Sequence, residues 1–155
     1  MAFIRLKKIA GHEYAVLVEN SWTSKGPRQA SKQYLGQYFP LPEGDLPEAA
    51  QPDVGSLIKA ELWAHNFSEG LVLDGIKVNL KLCTVRSGRK RVVLGLNGGF
   101  LCDYTLRKLL RFMPVEEVTP GYHLARAFSD AGIRVSREQF VQIYTKLYKK
   151  HSATT

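Results

Sequence analysis

The 155-residue chain lacks the signatures that mark most catalytic, secreted and membrane proteins. It has two cysteines, Cys83 and Cys102, which form no CxxC and sit beside no Cys/His cluster. A disulfide framework or a structural zinc site needs more than that, so both thiols read as small buried apolar side chains. No apolar run approaches the roughly 18 residues of a membrane span. Met1-Ala2-Phe3-Ile4-Arg5-Leu6 runs directly into an alternating strand pattern, with no apolar leader and no cleavage site. The expectation is a soluble, intracellular, cytoplasmic protein with no membrane partner. His12, His65, His123 and His151 show no HExxH or other ligand spacing. GxSxG, GxGxxG and GxxxxGK[ST] are all missing. No catalytic residue, metal ligand or cofactor is therefore assigned, although folding can still bring Asp103, His65 or His123 together. The chain reads as non-catalytic.

Acidic residues are also in short supply. Fourteen Asp and Glu face 22 Lys and Arg, for a net charge of +8 and a pI near 9.6. Such a balance favours polyanionic partners through counterion release and steering. The hydrophobic fraction of 45% is that of a folded domain, and a chain this long can bury a core without staples.

The charge is segregated. Residues 1–41 carry six cations and two acids, and residues 76–112 carry nine cations and one acid. Between them, residues 42–56 hold four acids and no cation. The stretch PLPEGDLPEAAQPDVGS contains four of the seven prolines, the composition of a linker or long surface loop. An acidic segment of this kind can also engage a basic protein partner. Three parts result: a β-rich basic module over 1–41, the acidic Pro-rich linker or loop over 42–56, and an α+β module over 57–151.

In the first part, Ile4 and Leu6 alternate with Arg5 and Lys7, the period-2 pattern of a half-buried strand. A second strand carries Tyr14, Val16 and Val18, and a third runs from Arg28 to Phe39. The predicted unit is a three-stranded β-meander ringed by Arg5, Lys7, Lys8, Lys25, Arg28 and Lys32, with Trp22, Tyr34 and Tyr38 available to pack or stack. Ile4, Arg5, Lys7, Lys8, Gly11, Tyr14, Leu17, Val18, Glu19, Arg28, Gln29, Tyr34, Leu35 and Gly36 carry a resemblance to the short β-rich segment at the N-terminus of many insertion-sequence transposases. It spans residues 1–38, about the first quarter of the chain. It implies nucleic-acid contact and, without a catalytic core behind it, no catalysis.

Ser56 to Phe67 fits a short helix or a strand equally well. Leu71 to Leu73 reads as a strand closed by Asp74-Gly75. Ile76, Val78, Leu80 and Leu82 then alternate with Lys77, Asn79, Lys81 and Cys83 as one strand, Ser87-Gly88 turns it, and Arg91 to Leu96 returns. This central basic β-hairpin, 76–96, packs Arg86, Arg89, Lys90 and Arg91 into six residues at its tip. A two-stranded ribbon with such a tip fits a nucleic-acid groove and reaches phosphates. A solvated tip that blunts an edge strand is the alternative. Asn97-Gly98-Gly99 reads as a strand-to-helix turn.

A C-terminal three-helix unit follows. The first helix, about 103–113, is capped by Asp103, buries Leu106, Leu109, Leu110 and Met113, and shows Arg107, Lys108 and Arg111 on another face. The second, 120–131, has Pro120 at its first turn and Leu124, Ala127, Phe128 and Ala131 as its stripe, ending at Gly132. The third, 136–150, opens with the capping-box pattern Ser136-Arg137-Glu138-Gln139 and buries Phe140, Ile143, Tyr144 and Leu147. Residues 120–148 resemble a helix-turn-helix. In that arrangement the last helix would present Arg137, Gln139, Gln142 and Lys146 to a DNA groove.

The fold class expected is α+β. The function expected is non-catalytic nucleic-acid binding through phosphates, first by Arg86, Arg89, Lys90 and Arg91, then by Arg5, Lys7, Lys8, Arg28 and Lys32, with Arg107, Lys108 and Arg111 as a third patch. Both DNA and RNA satisfy it. A helix-turn-helix DNA-sequence-specific regulator and a protein-interaction subunit with no nucleic-acid role are the alternatives.

Overall fold

A computed structural model describes residues 2–47, 51–65, 72–73, 75–114 and 120–153. Among these described residues, eight strands and four helices follow the order β1 (Ala2–Ile9), β2 (His12–Thr23), β3 (Gly26–Pro40), α1 (Val54–Ala64), β4 (Val72–Leu73), β5 (Ile76–Asn79), β6 (Thr84–Ser87), β7 (Lys90–Leu96), β8 (Gly99–Leu101), α2 (Asp103–Leu110), α3 (Pro120–Ala131) and α4 (Arg137–Ala153). The class is α+β. All strands join one sheet in the order β1-β2-β3-β7-β6-β5-β4, with β8 also paired to β7.

The three N-terminal strands pair antiparallel, but they do not stand alone. β3 pairs in parallel with β7 from Gln37–Val92 to Pro40–Gly95, and Leu41 N–H extends the ladder to the Gly95 carbonyl. Residues on both sides of the acidic segment thus share one sheet. The reason lies in β7 itself. Val92, Val93, Leu94, Gly95 and Leu96 are all buried, a continuous apolar run suited to a strand covered on both faces. A one-sided hairpin strand would alternate instead. Val92, Leu94 and Leu96 join a core with Leu57, Ile58, Leu62, Leu106, Leu109, Leu124, Phe128 and Ile143. Val93 belongs to a second core with Ala15, Leu17, Leu35 and Cys102.

The expected strand over 76–83 stops at Asn79, and a second strand begins only at Thr84. Asn79 Oδ1 accepts the Leu82 N–H at 3.0 Å, and Cys83 adopts φ +55, so Leu80 to Cys83 form a turn between β5 and β6. An asparagine that bonds the backbone ahead of it competes directly with the ladder. Asn97-Gly98 is likewise a correction. It joins β7 to β8, with Leu96 opposite Gly99 and φ values of +52 and +78, the conformation of a two-residue hairpin turn that Asn-Gly favours. It does not precede a helix. Of the expected strand 71–73, Leu71 lies outside the described residues, as does Asp74.

Residues 54–64 resolve as helix α1, capped by Asp53, whose Oδ1 accepts the Ser56 N–H at 2.8 Å. Helix α2 is shorter than expected. Its cap is Cys102, not Asp103, and Cys102 N–H is held by Thr105 Oγ1 at 3.1 Å. Because it ends at Leu110, Met113 falls outside the buried stripe and is 63% exposed. The α3 stripe Leu124, Ala127, Phe128 and Ala131 is buried as expected. Ser136 and Gln139 form the expected reciprocal cap before α4, N–H to side chain in both directions. Gly132 closes α3 at φ +74, so close to the Leu96 carbonyl that a Cβ there would overlap it.

A buried polar cluster ties the connections together. Glu61 in α1 is 0% exposed. Its carboxylate accepts Arg134 Nη2 at 2.7 Å, Arg134 Nε at 2.9 Å, Asn97 Nδ2 at 2.7 Å and the Arg134 backbone N–H at 3.1 Å. His65 spans Glu61 Oε1 at 3.1 Å and the Pro42 carbonyl at 2.7 Å. Arg134 Nη2 also donates to the carbonyls of Gly44 and Asp45. The start of the acidic segment is therefore pinned to the domain. Removing one partner of a buried pair strands the other charge, which costs about 3–5 kcal/mol. Arg134→Ala is expected to lose stability of that order in urea unfolding followed by circular dichroism, more than Glu61→Gln with Arg134 retained.

Candidate functional site

The tip of the β6–β7 hairpin is a two-residue turn, with Ser87 opposite Lys90 and Gly88 at φ +62. Register sets Lys77 beside Arg86 and Arg86 beside Arg91. Directly opposed side chains share a sheet face with Cβ atoms about 4.5–5.5 Å apart, so three cations form one row. Like charges so placed repel, and Asp103 offsets them. Its Oδ1 accepts Arg86 Nη1 at 2.6 Å and the Val85 N–H at 3.0 Å.

The position of Asp103 follows from the sheet. β7 stays with β6 only over Lys90 and Arg91, then turns to β3 and β8. Val85 is thereby left without a partner on β7. Asp103, two residues past β8, fills the place. Its carbonyl also accepts Arg107 Nε at 3.4 Å, so Arg86 and Arg107 meet at one residue. Among the described residues, Lys77, Arg89, Lys90 and Arg91 pair with no acidic side chain, and all four are exposed.

A second feature lies on the other face of β7. Register gives one row Lys7–Tyr14–Gln37–Val92 and the next row Arg5–Val16–Tyr34. Lys90, two residues before Val92, points to the same side by strand alternation. Here the sheet forms a cleft of about 600 Å³ lined by Tyr14, Tyr34, Gln37, Phe39, Ser87, Lys90, Arg91 and Val92. Tyr14 and Tyr34 lie 6.1 Å apart between ring centroids, tilted by 42°. Tyr34 is 52% exposed, and none of the lining residues is acidic. Lys90 and Arg91 line this cleft, and Lys7 of the N-terminal segment is paired in register with Tyr14.

The other expected contacts are dispersed. Lys8 and Arg28 are exposed. Arg28 sits on the β2–β3 arm, where residues 20–23 extend past the last β1 pairing and Trp22 is 82% exposed. Arg5 donates to Gln29 Oε1 at 2.8 Å. Lys32 bonds Glu19 at 2.8 Å, and that hydrogen bond, with the Lys32 charge, holds the Glu19 carboxyl below its usual range. Both ends are solvated, so the pair adds little stability. Lys108 lies 4.8 Å over the Tyr104 ring and lines a separate cleft of about 320 Å³ with Tyr122, His123 and Arg126. Arg111 is exposed after the end of α2. On α4, Arg137, Gln142 and Lys146 are exposed, whereas Gln139 is engaged at the cap.

Of the aromatics singled out in sequence, Tyr38 turns inward. It meets Phe100 edge-on at 5.7 Å, its hydroxyl fills the space beside Gly95, and burial pushes its ionisation up. The convergence of Tyr14 with Tyr34 escaped the sequence reading. The one local signal was their shared strand alternation, which says nothing of mutual register. Cys83 and Cys102 are free and buried, and burial pushes the Cys102 thiol up. Asp103 and His65 have separate partners, and among the described residues no group of three His, Cys, Asp or Glu is placed to hold a metal ion. Among the described residues, no helix is long and apolar enough to cross a membrane.

No family model matches the chain, and no curated protein or solved structure is significantly similar to it.

Asp103→Ala removes the acceptor for both the Val85 amide and Arg86. Unmatched donors of this kind cost about 1–3 kcal/mol, and the expected outcome is a loss of that size in the unfolding free energy from urea titration, seen as a lower midpoint, with β5 and β6 amides exchanging faster in hydrogen-exchange measurements.

Proposed function

We propose that the chain is a non-catalytic nucleic-acid-binding protein that holds its partner mainly through backbone phosphates. One observation carries this reading: Lys90 and Arg91 of the β6–β7 tip line an aromatic cleft with no acidic residue, and Lys7 of β1 is paired in register with Tyr14 of that cleft. Arg89, Lys90 and Arg91 are the leading contacts, since no described acid offsets them. Arg86 contributes less, because Asp103 already holds it. Arg5, Lys7, Lys8, Arg28 and Lys32 extend the surface, with Arg107, Lys108 and Arg111 as a further patch. The net charge of +8 steers the encounter. The resemblance of the first 38 residues to transposase N-terminal segments points the same way.

A second reading has its own support. Gly132 turns α3 into the connection to α4, and Arg137, Gln142 and Lys146 line the exposed side of α4, as a DNA-reading helix would require. Gln139 is a weak base reader here because its amide caps the helix. Gln142→Ala altering sequence preference rather than affinity would favour this reading.

The phosphate-gripping reading is tested by salt. Affinity for a generic duplex and for a single strand is expected to fall linearly on a log–log salt plot, and Lys90→Ala or Arg91→Ala to reduce the slope by about 1. Fluorescence anisotropy supplies the measurement. Absence of binding to either polymer at low salt would overturn the proposal.

A further inference from the structure

We infer that the cleft between β2–β3 and the start of β7 is a stacking site for one unpaired base, so that the preferred partner is a single-stranded nucleic acid. The inference rests on the nucleic-acid reading above and narrows it to one class of polymer.

The chemistry of the lining points there. Tyr14 and Tyr34 offer aromatic faces, and Tyr34 is half exposed. Base-on-aromatic stacking accepts any base, because every base has a π-face. Val92 and Phe39 form an apolar floor, buried and partly buried respectively. Gln37 Nε2 meets His12 Nδ1 at 3.4 Å, which leaves its amide oxygen to accept from a base edge. Lys90 stands exposed at the rim, and Lys7 lies beside Tyr14 in the same row. A stacking platform next to a cationic track is the arrangement that binds single strands. The volume of about 600 Å³ falls within the roughly 300–1,000 Å³ of small-ligand sites, ample for one base and its sugar.

A duplex cannot use this cleft in the same way. Its bases are paired and stacked, and they show only their edges in the grooves. Placing a duplex base on Tyr34 would require flipping it out of the stack. The tip cations still meet duplex phosphates, so duplex binding should be weaker and purely salt-driven.

The test compares a labelled homopolymer strand of about a dozen nucleotides, within the site sizes typical of such surfaces, with a blunt duplex of equal length. Both are titrated by fluorescence anisotropy at one low salt concentration. The strand is expected to bind at least about tenfold tighter than the duplex. Tyr34→Ala should lower strand affinity about tenfold and collapse the strand-to-duplex ratio by the same factor, while Tyr34→Trp keeps both. Because Tyr34 is exposed, the melting temperature of each variant serves as the folding control. Equal affinity for strand and duplex, with Tyr34→Ala changing neither, would overturn the stacking site and leave phosphate gripping intact. A mononucleotide that competes as well as the strand would overturn the single-stranded polymer as the preferred partner. Failure to bind either polymer would remove both proposals together.

Discussion

The ion pair between Glu61 and Arg134 is the contact on which the remaining architecture depends. A carboxylate with no solvent exposure is tolerable only when paired and hydrogen-bonded. Glu61 meets that demand by recruiting partners from four places: Arg134 from the α3–α4 connection, Asn97 from the β7–β8 turn, His65 from the end of α1, and the 42–45 segment through His65 and Arg134. Each is a loop or element end, where packing alone is weakest. Holding them at one point sets α1 and the α3–α4 corner against the same side of the central strand.

That strand, β7, transmits the constraint to the cationic surface. It is buried on both faces from Val92 to Leu96 and exposed at Lys90 and Arg91. Its first two residues belong to the hairpin tip, and the remainder bridges the N-terminal strands to the helices. The parting of β7 from β6 makes room for Asp103, which steadies Arg86 and joins the tip to α2. On the opposite face, the pairing of β3 with β7 carries Tyr34 and, through β2, Tyr14 to the side of Lys90. The aromatic cleft is a consequence of strand order, not of any local motif.

Much of the secondary structure was legible in the chain. The two strands within 2–23, the stripe of α3 and the Ser136–Gln139 box rest on short-range patterns and appear where expected, although β2 buries every residue from Ala15 to Val18 instead of alternating. The misreadings have physical causes. Leu80 and Leu82 continue a period of two, but Asn79 takes the Leu82 amide and ends the strand. Asn97-Gly98 is a hairpin signal that the following helix pattern obscured. Cysteine is not among the favoured N-cap residues, so Asp103 looked the better cap, and it serves the hairpin instead.

By itself the sequence determined the α+β class, the cationic tip, the buried thiols and the α3 stripe, because each rests on neighbours within one or two turns of chain. Only the tertiary structure decided which cations stand together and which are offset. Arg86 and Arg91 share a face with Lys77, Arg86 is held by a residue seventeen positions away, and Lys90 lines one cleft with two tyrosines from the N-terminal strands. Register between distant strands is set by which apolar runs must be buried on both sides, and that requirement is met only when the whole sheet closes around β7.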